Sequence, residues 1–366
     1  WMAPLQALVE NTLPPASGDR FIGLIGDHPS TYARSPRIWQ PALAALGIEA
    51  VYLSLDVRAE RLSQVVQFLR RSEACLGANV TVPYKETVVP FLNEIDPSAG
   101  DLGVVNTIVR ASSGRLIGAN TDGIGLINAL LRPADGPPLV QTLRGASVLL
   151  IGAGGAARAA AVALAPLLES GELLVTNRRL TPARAVVTSA STRGCRASVV
   201  PDALLDRHLP GVTLVINATT RGQAGIFREN SADGRETWTC LEPYSALAPA
   251  APTRLPAKSR DAFFANWSAE SATDISSNHA RSRERIRMLP ANAAVFDMIY
   301  APAETALLRH AREEGLRTAN GRGMNIAQAA AACVDHICHA WILRQGIDAE
   351  AARGRVLQAM ARAWEG

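Results

Sequence analysis

The chain has 366 residues, 48% of them hydrophobic, and carries a formal net charge of +4. That length implies two domains, and so mild and scattered a charge suits a small anionic ligand and argues against nucleic acid as the partner. Five cysteines without CxxC spacing exclude a disulfide framework and point to a reducing, cytoplasmic compartment, while no apolar run reaches the roughly 18 residues of a membrane-spanning helix.

Residues 1–19 read as a Pro-containing tail with no basic region ahead of an apolar one, so no secretory signal is expected. "RFIGLIG" then reads as a strand and "SPRIWQPALAALG" as a helix, with Ser35 as cap, Pro36 in the first turn and Gly47 at the stop. The strand "AVYLSLDV", the helix "AERLSQVVQFLRR" and the strand "GANVTVP" continue the alternation, which implies an α/β domain with a mainly parallel sheet. "VVNTIVR" and "GRLIGANTDG" form two strands around the turn "ASSG". A second α/β series runs from "ASVLLIGAGGAARAAAVALAPLL" through "ELLVTNRR" and "GVTLVINATTRG" to "AAVFDMIY" and the helix "AETALLRHAREEG". Two helices close the chain, "GMNIAQAAAACVDHICHAWILRQG" and "DAEAARGRVLQAMARAW". Interrupting the second series is a long excursion at about 223–293, rich in Pro, Ala and Ser but holding Trp238, Tyr244, Phe263, Phe264 and Trp267. A stretch of that length is a solvated surface excursion, a lid or an oligomer contact; its aromatics give it something to pack with.

"VLLIGAGGAAR" sets Gly152, Ala153, Gly154, Gly155 and Ala156 between a strand and a helix. Glycines there allow the backbone to approach a pyrophosphate at the helix N-terminus, although a merely tight βα turn would use them too. About twenty residues further, an NAD enzyme places an acid on the ribose hydroxyls. This chain has Asn177, Arg178 and Arg179, and a guanidinium suits the extra phosphate of NADP unless the two arginines are simply solvated loop residues. Cys333, His336, Cys338 and His339 fall on more than one face of a helix, which does not suit metal ligation.

Of the 37 basic side chains only Lys85 and Lys258 are lysine. An arginine-rich composition leaves occasional lysines by chance; alternatively, position 85 needs a group that gives up its proton near neutral pH, which arginine does not. Lys85 lies in "ANVTVPYKE", which together with "GVVNT" and "GANTDG" sets Asn79, Thr81, Lys85, Asn106, Thr107, Asn120 and Asp122 near strand ends, where α/β proteins place their clefts.

With these pieces the sequence resembles the shikimate/quinate dehydrogenase family. "ARSP", "NVTVPYKE", "GVVNT", "GANTDG", "IGAGGAAR", "NRR", "INAT", "FDMIY" and "GMNIAQAA" follow in family order from about residue 20, the excursion apart. The resemblance implies two α/β domains: an N-terminal substrate-binding domain and a Rossmann-type NADP-binding domain, with C-terminal helices returning to the first. The implied spans are 20–122 with 322–366 for the first domain and 123–321 for the second. It further implies reversible hydride transfer between NADPH and 3-dehydroshikimate, giving shikimate, with Lys85 and Asp122 as the catalytic pair. Asn79, Thr81, Asn106 and Gln328 would hold ring hydroxyls, and Ser35 and Tyr300 the carboxylate. Gly152, Ala153, Gly154, Gly155, Ala156, Asn177, Arg178, Arg179 and Gly321 would hold the cofactor, with Thr219 and Met298 on its nicotinamide side. The partner is then a small cyclic polyol carboxylate, neither nucleic acid nor membrane, and the chain a monomer or homodimer. A non-catalytic ligand sensor would not need both Lys85 and Asp122. One departure bears on the substrate: Ala33 stands where the family has the first serine of Ser-x-Ser, which leaves quinate or an aminoshikimate as alternatives, with Thr31 or Tyr32 as possible replacements for the lost hydroxyl.

Overall fold

The computed structural model of the protein describes residues 1–15, 18–230, 236–256 and 259–365. Parts of the excursion and of the N-terminal stretch thus lie outside the described residues. The chain divides into two compact units, residues 1–136 with 323–366 and residues 137–322.

In the first unit β1 (Phe21–Gly26), β2 (Val51–Asp56), β3 (Cys75–Val80), β4 (Glu94–Ile95), β5 (Thr107–Arg110) and β6 (Leu116–Ala119) form one sheet in the order β2-β1-β3-β5-β6-β4. Every residue of β1 is buried, as expected of a central parallel strand covered on both faces. The sheet is mixed: β1 runs parallel to β2 and β3, whereas β5 is antiparallel to both β3 and β6. Antiparallel register sets Asn79 opposite Thr107, so the two polar positions share one face of the sheet.

Three expectations change here. Residues 1–15 are no tail: Leu5, Val9 and Leu13 enter the core, Trp1 stacks on Phe21, and the Asn11 amide bridges Ser54 O and Asp56 N. Ser35 does not cap its helix, Ser35–Ala45; it is the first helical residue and its hydroxyl contacts the Tyr52 phenol. The unit also runs past Asp122 to Gly136, because the helix Asp122–Leu131 belongs to it, burying Leu126, Ala129 and Leu130.

The returning segment is not one continuous helix. Arg322–Ala331 gives way to a π-type turn, Ala332–Ile337, in which Cys338 N donates to Cys333 O at 2.8 Å, and a short helix His339–Arg344 follows. Cys333 and Cys338 are both buried, with sulfurs 3.8 Å apart. The last helix, Ala349–Glu365, lies on Ser35–Ala45, and Arg34 sits over the Trp364 ring at 5.0 Å.

The second unit contains β7 (Ser147–Ile151), β8 (Glu172–Thr176), β9 (Arg196–Val199), β10 (Leu214–Asn217), the hairpin β11 (Ile226–Asn230) with β12 (Glu236–Cys240), β13 (Ala294–Asp297) and β14 (Arg317–Asn320). Outside the hairpin the sheet is all parallel, in the order β14-β13-β10-β7-β8-β9, the doubly wound arrangement of a dinucleotide fold. The described part of the excursion is a folded substructure: the hairpin, an isolated bridge between Trp238 and Leu255, and a 28-residue helix, Arg260–Arg287. Trp238, Tyr244, Phe263 and Trp267 form its own small core. Its helix is tied down by Arg285, 1% exposed, which pairs with Asp202 and Asp206 and donates to Leu247 O at 2.9 Å.

Candidate active site

In the first unit the strand ends bring a polar group together. Lys85 Nζ donates to Asp122 Oδ2 at 2.7 Å; the lysine side chain is 26% exposed and the aspartate 3%. Local backbone explains both positions. Lys85 follows the end of β3, and its carbonyl accepts from Val105 N at 2.8 Å, which ties the lysine loop to the approach of β5. Asp122 opens its helix, and its own N–H donates to Asn120 Oδ1 at 2.9 Å, while Asn120 Nδ2 reaches Val104 O. The second oxygen of Asp122 accepts from Asn106 Nδ2 at 2.8 Å. A carboxylate needs several donors when removed from water, and here a lysine and an amide supply them.

Asn106 Oδ1 in turn accepts from Thr121 N at 3.0 Å and from the Thr107 hydroxyl at 2.9 Å. Across the register Asn79 Nδ2 donates to Thr107 Oγ1 at 3.3 Å, and Asn79 Oδ1 accepts from Tyr52 O–H at 2.8 Å. Burial pushes the Tyr52 phenol up, offset in part by the hydrogen bond from Ser35. Asn79, Asn106, Lys85 and Asp122 are thereby one connected network with Ser35 at its far end. Thr81 is half-buried just beyond β3, its N–H donating to Ile25 O at 2.9 Å. Gln328 is brought in by Gly125, one helical turn from Asp122. A Cβ on Gly125 would stand 2.7 Å from Gln328 Cβ and 2.9 Å from Met324 O, so only glycine lets the two helices close to this distance. Tyr52 and Thr121 were missed from the sequence; the signal for Tyr52 was a phenol among the buried positions of β2.

Ala33 ends the short helical turn Pro29–Tyr32, and Arg34 separates it from the helix that opens at Ser35. The hydroxyls just upstream have other partners: Ser30 donates to Asp56 Oδ2, and Thr31 to His28 O at 2.8 Å. Thr31 therefore does not replace the missing serine hydroxyl as a donor.

The second unit carries the other candidates. Gly152 has φ of 114°, and a Cβ there would meet Thr219 Cγ2 at 2.9 Å and Ala218 O at 3.1 Å. Only glycine keeps the turn and brings Thr219 against it. Gly154 caps the helix Gly155–Leu168 with no side chain, and nothing lies within 4 Å of where its Cβ would be. Ala153 and Ala156 flank it, both half-buried. That is an open cradle at a helix start, and a pyrophosphate fits it. At the end of β8 Asn177 Nδ2 donates to Arg179 O at 2.8 Å, while Arg178 and Arg179 are exposed. Arg221, absent from the sequence-based set, has its guanidinium held by Ala248 O. Burial and then the charge of Arg178 push it below the usual arginine range. Two guanidinium groups that feel each other favour an anion nearby, which suits a nucleotide phosphate.

Thr219 N and Oγ1 both donate to Asn217 Oδ1, at 2.9 and 2.8 Å, and Asn217 Nδ2 reaches Asp297 Oδ1 at 2.9 Å. Met298 N donates to Asn217 O and Gly321 N to Ile299 O, each at 3.0 Å, so the ends of β10, β13 and β14 are cross-linked around these positions. Tyr300 is half-buried at the same end of the sheet. Asp297, fully buried, also accepts from Thr305 Oγ1 and Ile299 N, and burial pushes its carboxyl up to about 7. Among the described residues no group of three His, Cys, Asp or Glu side chains is placed to hold a metal ion.

Both halves have close counterparts. Residues 24–108 match the family model described as the shikimate dehydrogenase substrate binding domain. The shikimate dehydrogenase (NADP(+)) of Symbiobacterium thermophilum is 31% identical over 327 residues, covering 86% of this chain and 87% of its own length. Among solved structures, shikimate 5-dehydrogenase from Thermus thermophilus in complex with NADP(H) and shikimate is 28% identical. It aligns at a TM-score of 0.61 over 93% of this chain and 99% of that one. The enzyme from Listeria monocytogenes in complex with shikimate and NAD is 26% identical at a TM-score of 0.64, over 88% and 93%. The match runs through both units, and the chain belongs to the shikimate dehydrogenase family.

Proposed function

We infer that the protein is an NADP-dependent shikimate dehydrogenase, reducing 3-dehydroshikimate to shikimate and reversing the reaction. The observation that carries this reading is the Lys85–Asp122 pair: a buried carboxylate holding a partly exposed amine at 2.7 Å, beside two asparagines that face the same end of the sheet. When bound, NADPH supplies the hydride. Lys85 Nζ supplies the proton to the oxygen that becomes the alcohol, and takes it back as the neutral amine in the reverse direction. Asp122 fixes the direction of Nζ with one oxygen, while its other oxygen is held by Asn106. Asn79, Thr81, Asn106 and Gln328 take the ring hydroxyls, and Ser35 the carboxylate; for Tyr300 the family resemblance suggests a second carboxylate contact. The cradle at Gly152, Ala153, Gly154, Gly155 and Ala156 takes the pyrophosphate. Asn177, Arg178 and Arg179 take the adenosine end with its phosphate, Gly321 also holds the cofactor, and Thr219 and Met298 line the nicotinamide side. A phosphate dianion rewards a guanidinium in a way a free ribose hydroxyl does not. Buried thiols at all five cysteines suit a cytoplasmic setting.

Ala33 favours a second reading of the same chemistry. With the Thr31 and Ser30 hydroxyls engaged elsewhere, position 33 offers the carboxylate no side-chain donor, and the alternative substrate is a related cyclic polyol acid such as quinate or an aminoshikimate. Steady-state reduction of 3-dehydroshikimate and its cyclic ketoacid relatives, with NADPH and NADH, decides between them. The first reading expects 3-dehydroshikimate with NADPH to give the highest kcat/KM. Equal efficiency with NADH would remove the cofactor assignment, and a clear preference for another ketoacid would select the second reading.

A further inference from the structure

We propose that Thr107 is a positioning residue for this reaction, its hydroxyl setting the orientation of Asn79 from that of Asn106. The proposal rests on the functional reading above and on a chain of donors whose direction is forced. A backbone N–H can only donate, so Thr121 N, 3.0 Å from the Asn106 side chain, identifies the atom facing it as Oδ1. Asn106 Nδ2 must then face Asp122 Oδ1, at 2.8 Å. Thr107, wholly buried on β5, sits 2.9 Å from that same Oδ1 and has a single hydrogen, which it donates there. Having given up its hydrogen, the hydroxyl can only accept from Asn79, its partner across the register. The asparagine thus presents Nδ2 to Thr107 and turns Oδ1 towards the Tyr52 phenol. An amide rotated by half a turn would set Asn79 Oδ1 against the Thr107 oxygen, acceptor against acceptor. One hydroxyl thereby passes the orientation of the Lys85–Asp122 end to the Asn79 end.

The two ends depend on Thr107 unequally. Asn106 keeps Thr121 and Asp122 if the hydroxyl is removed, whereas Asn79 Nδ2 keeps only the Asn106 carbonyl at 3.3 Å. Substrate binding should therefore suffer more than proton transfer. The experiment is steady-state kinetics of wild type, Thr107→Val, Thr107→Ser and Thr107→Ala with NADPH and 3-dehydroshikimate, beside a titration of NADPH affinity. Thr107→Val should raise KM about tenfold, the scale of a lost buried hydrogen bond, with kcat falling less than about threefold. Thr107→Ser should restore KM, and the NADPH dissociation constant should not move. In an Asn79→Ala background the valine change should add less than about twofold, because the partner it acts through is gone. The proposal is overturned if KM stays within about twofold of wild type, or if valine has the same effect with and without Asn79. Should valine prevent folding, the alanine and serine variants carry the comparison, and an alanine variant as effective as serine overturns it. A wild-type protein inactive on 3-dehydroshikimate would instead bring down the functional reading, and this inference with it.

Discussion

Lys85 has one carboxylate oxygen as its anchor, and the remaining face of its ammonium is partly open at 26% exposure. That geometry asks more of position 85 than a positive charge. Lys85→Arg would keep a cation beside Asp122 but deny the oxygen a group that exchanges its proton near neutral pH. Turnover of Lys85→Arg should therefore fall at least about a hundredfold, the lower end of what a general acid–base group contributes. NADPH affinity, measured by direct titration, should be nearly unchanged. Near-normal turnover in the arginine variant would mean that the lysine is an accident of an arginine-rich composition. At this scale the sequence motifs made Lys85, Asp122, Asn79 and Asn106 legible, because the family resemblance names them. The connections among them were not. Ser35 illustrates why: its place before a proline reads as a helix cap, and only the approach of β2 reveals that the hydroxyl goes to Tyr52. A local rule could not anticipate a partner that tertiary packing supplies.

Among the elements, the helix Arg260–Arg287 was the least legible. Its buried positions Phe263, Trp267, Ser271, Asn278, Ser282, Arg285 and Ile286 do recur at helical spacing, but more than half are polar, so no apolar stripe marks them. They are satisfied inside: Asn278 alone bonds Ser245, Ala248 and Pro249, and Ser282 donates to Ser245 Oγ at 2.7 Å. The same seam holds His310, fully buried with Nδ1 at 2.9 Å from Ser282 Oγ and its ring edge-on to His279. Burial, then the charges of Arg283, His279 and Arg309, push His310 down to about 4, against a smaller opposing effect of Glu313. The sign follows directly. The unfolded chain takes up this proton near 6.5 and the native state only near 4, so stability is intact above 6.5 and is lost as pH falls towards 4. At about 1.4 kcal/mol per pH unit this loss is on the order of 3 kcal/mol. Asp297 acts oppositely, its contribution being lost as pH rises from 3.8 through about 7, so only a difference measurement isolates the histidine. Urea unfolding across pH 4 to 7 should show a shallower acid slope for His310→Asn, whose amide keeps a donor for Ser282, than for wild type. Parallel slopes would mean that His310 gains its proton in the folded state as easily as in the unfolded one.

For the whole molecule, the path of the chain makes the two units unequal. The second is one uninterrupted stretch, residues 137–322, with a core drawn from Leu149 to Leu316. The first is split, and its later piece does structural work the earlier piece cannot do alone. Ile337 packs where a side chain on Gly77 would stand, at 3.1 Å, and the helix Ala349–Glu365 covers the helix Ser35–Ala45. The alternation of strands and helices made both α/β units legible in the sequence, but periodicity carries no information on which unit a late helix joins; that came only from family resemblance. Separation of the units tests the physical account. Residues 137–322 expressed alone should unfold cooperatively and bind adenosine 2′,5′-bisphosphate within about threefold of the full chain, since a contiguous unit with its own core folds alone. Residues 1–136 alone should show no cooperative transition, because the missing helices leave apolar surface on the sheet and on Ser35–Ala45 uncovered. Joining residue 136 to residue 323 should restore it. Ala129, seven residues before Gly136, already lies 3.7 Å from where a Cβ on Gly323 would be, and a linker of a few residues at about 3.3 Å each spans the rest. Circular dichroism melts of the three proteins provide the measurement. A cooperative melt for 1–136 would make the returning helices an accessory layer, and the absence of one for the joined protein would mean that the first unit draws its stability from the second.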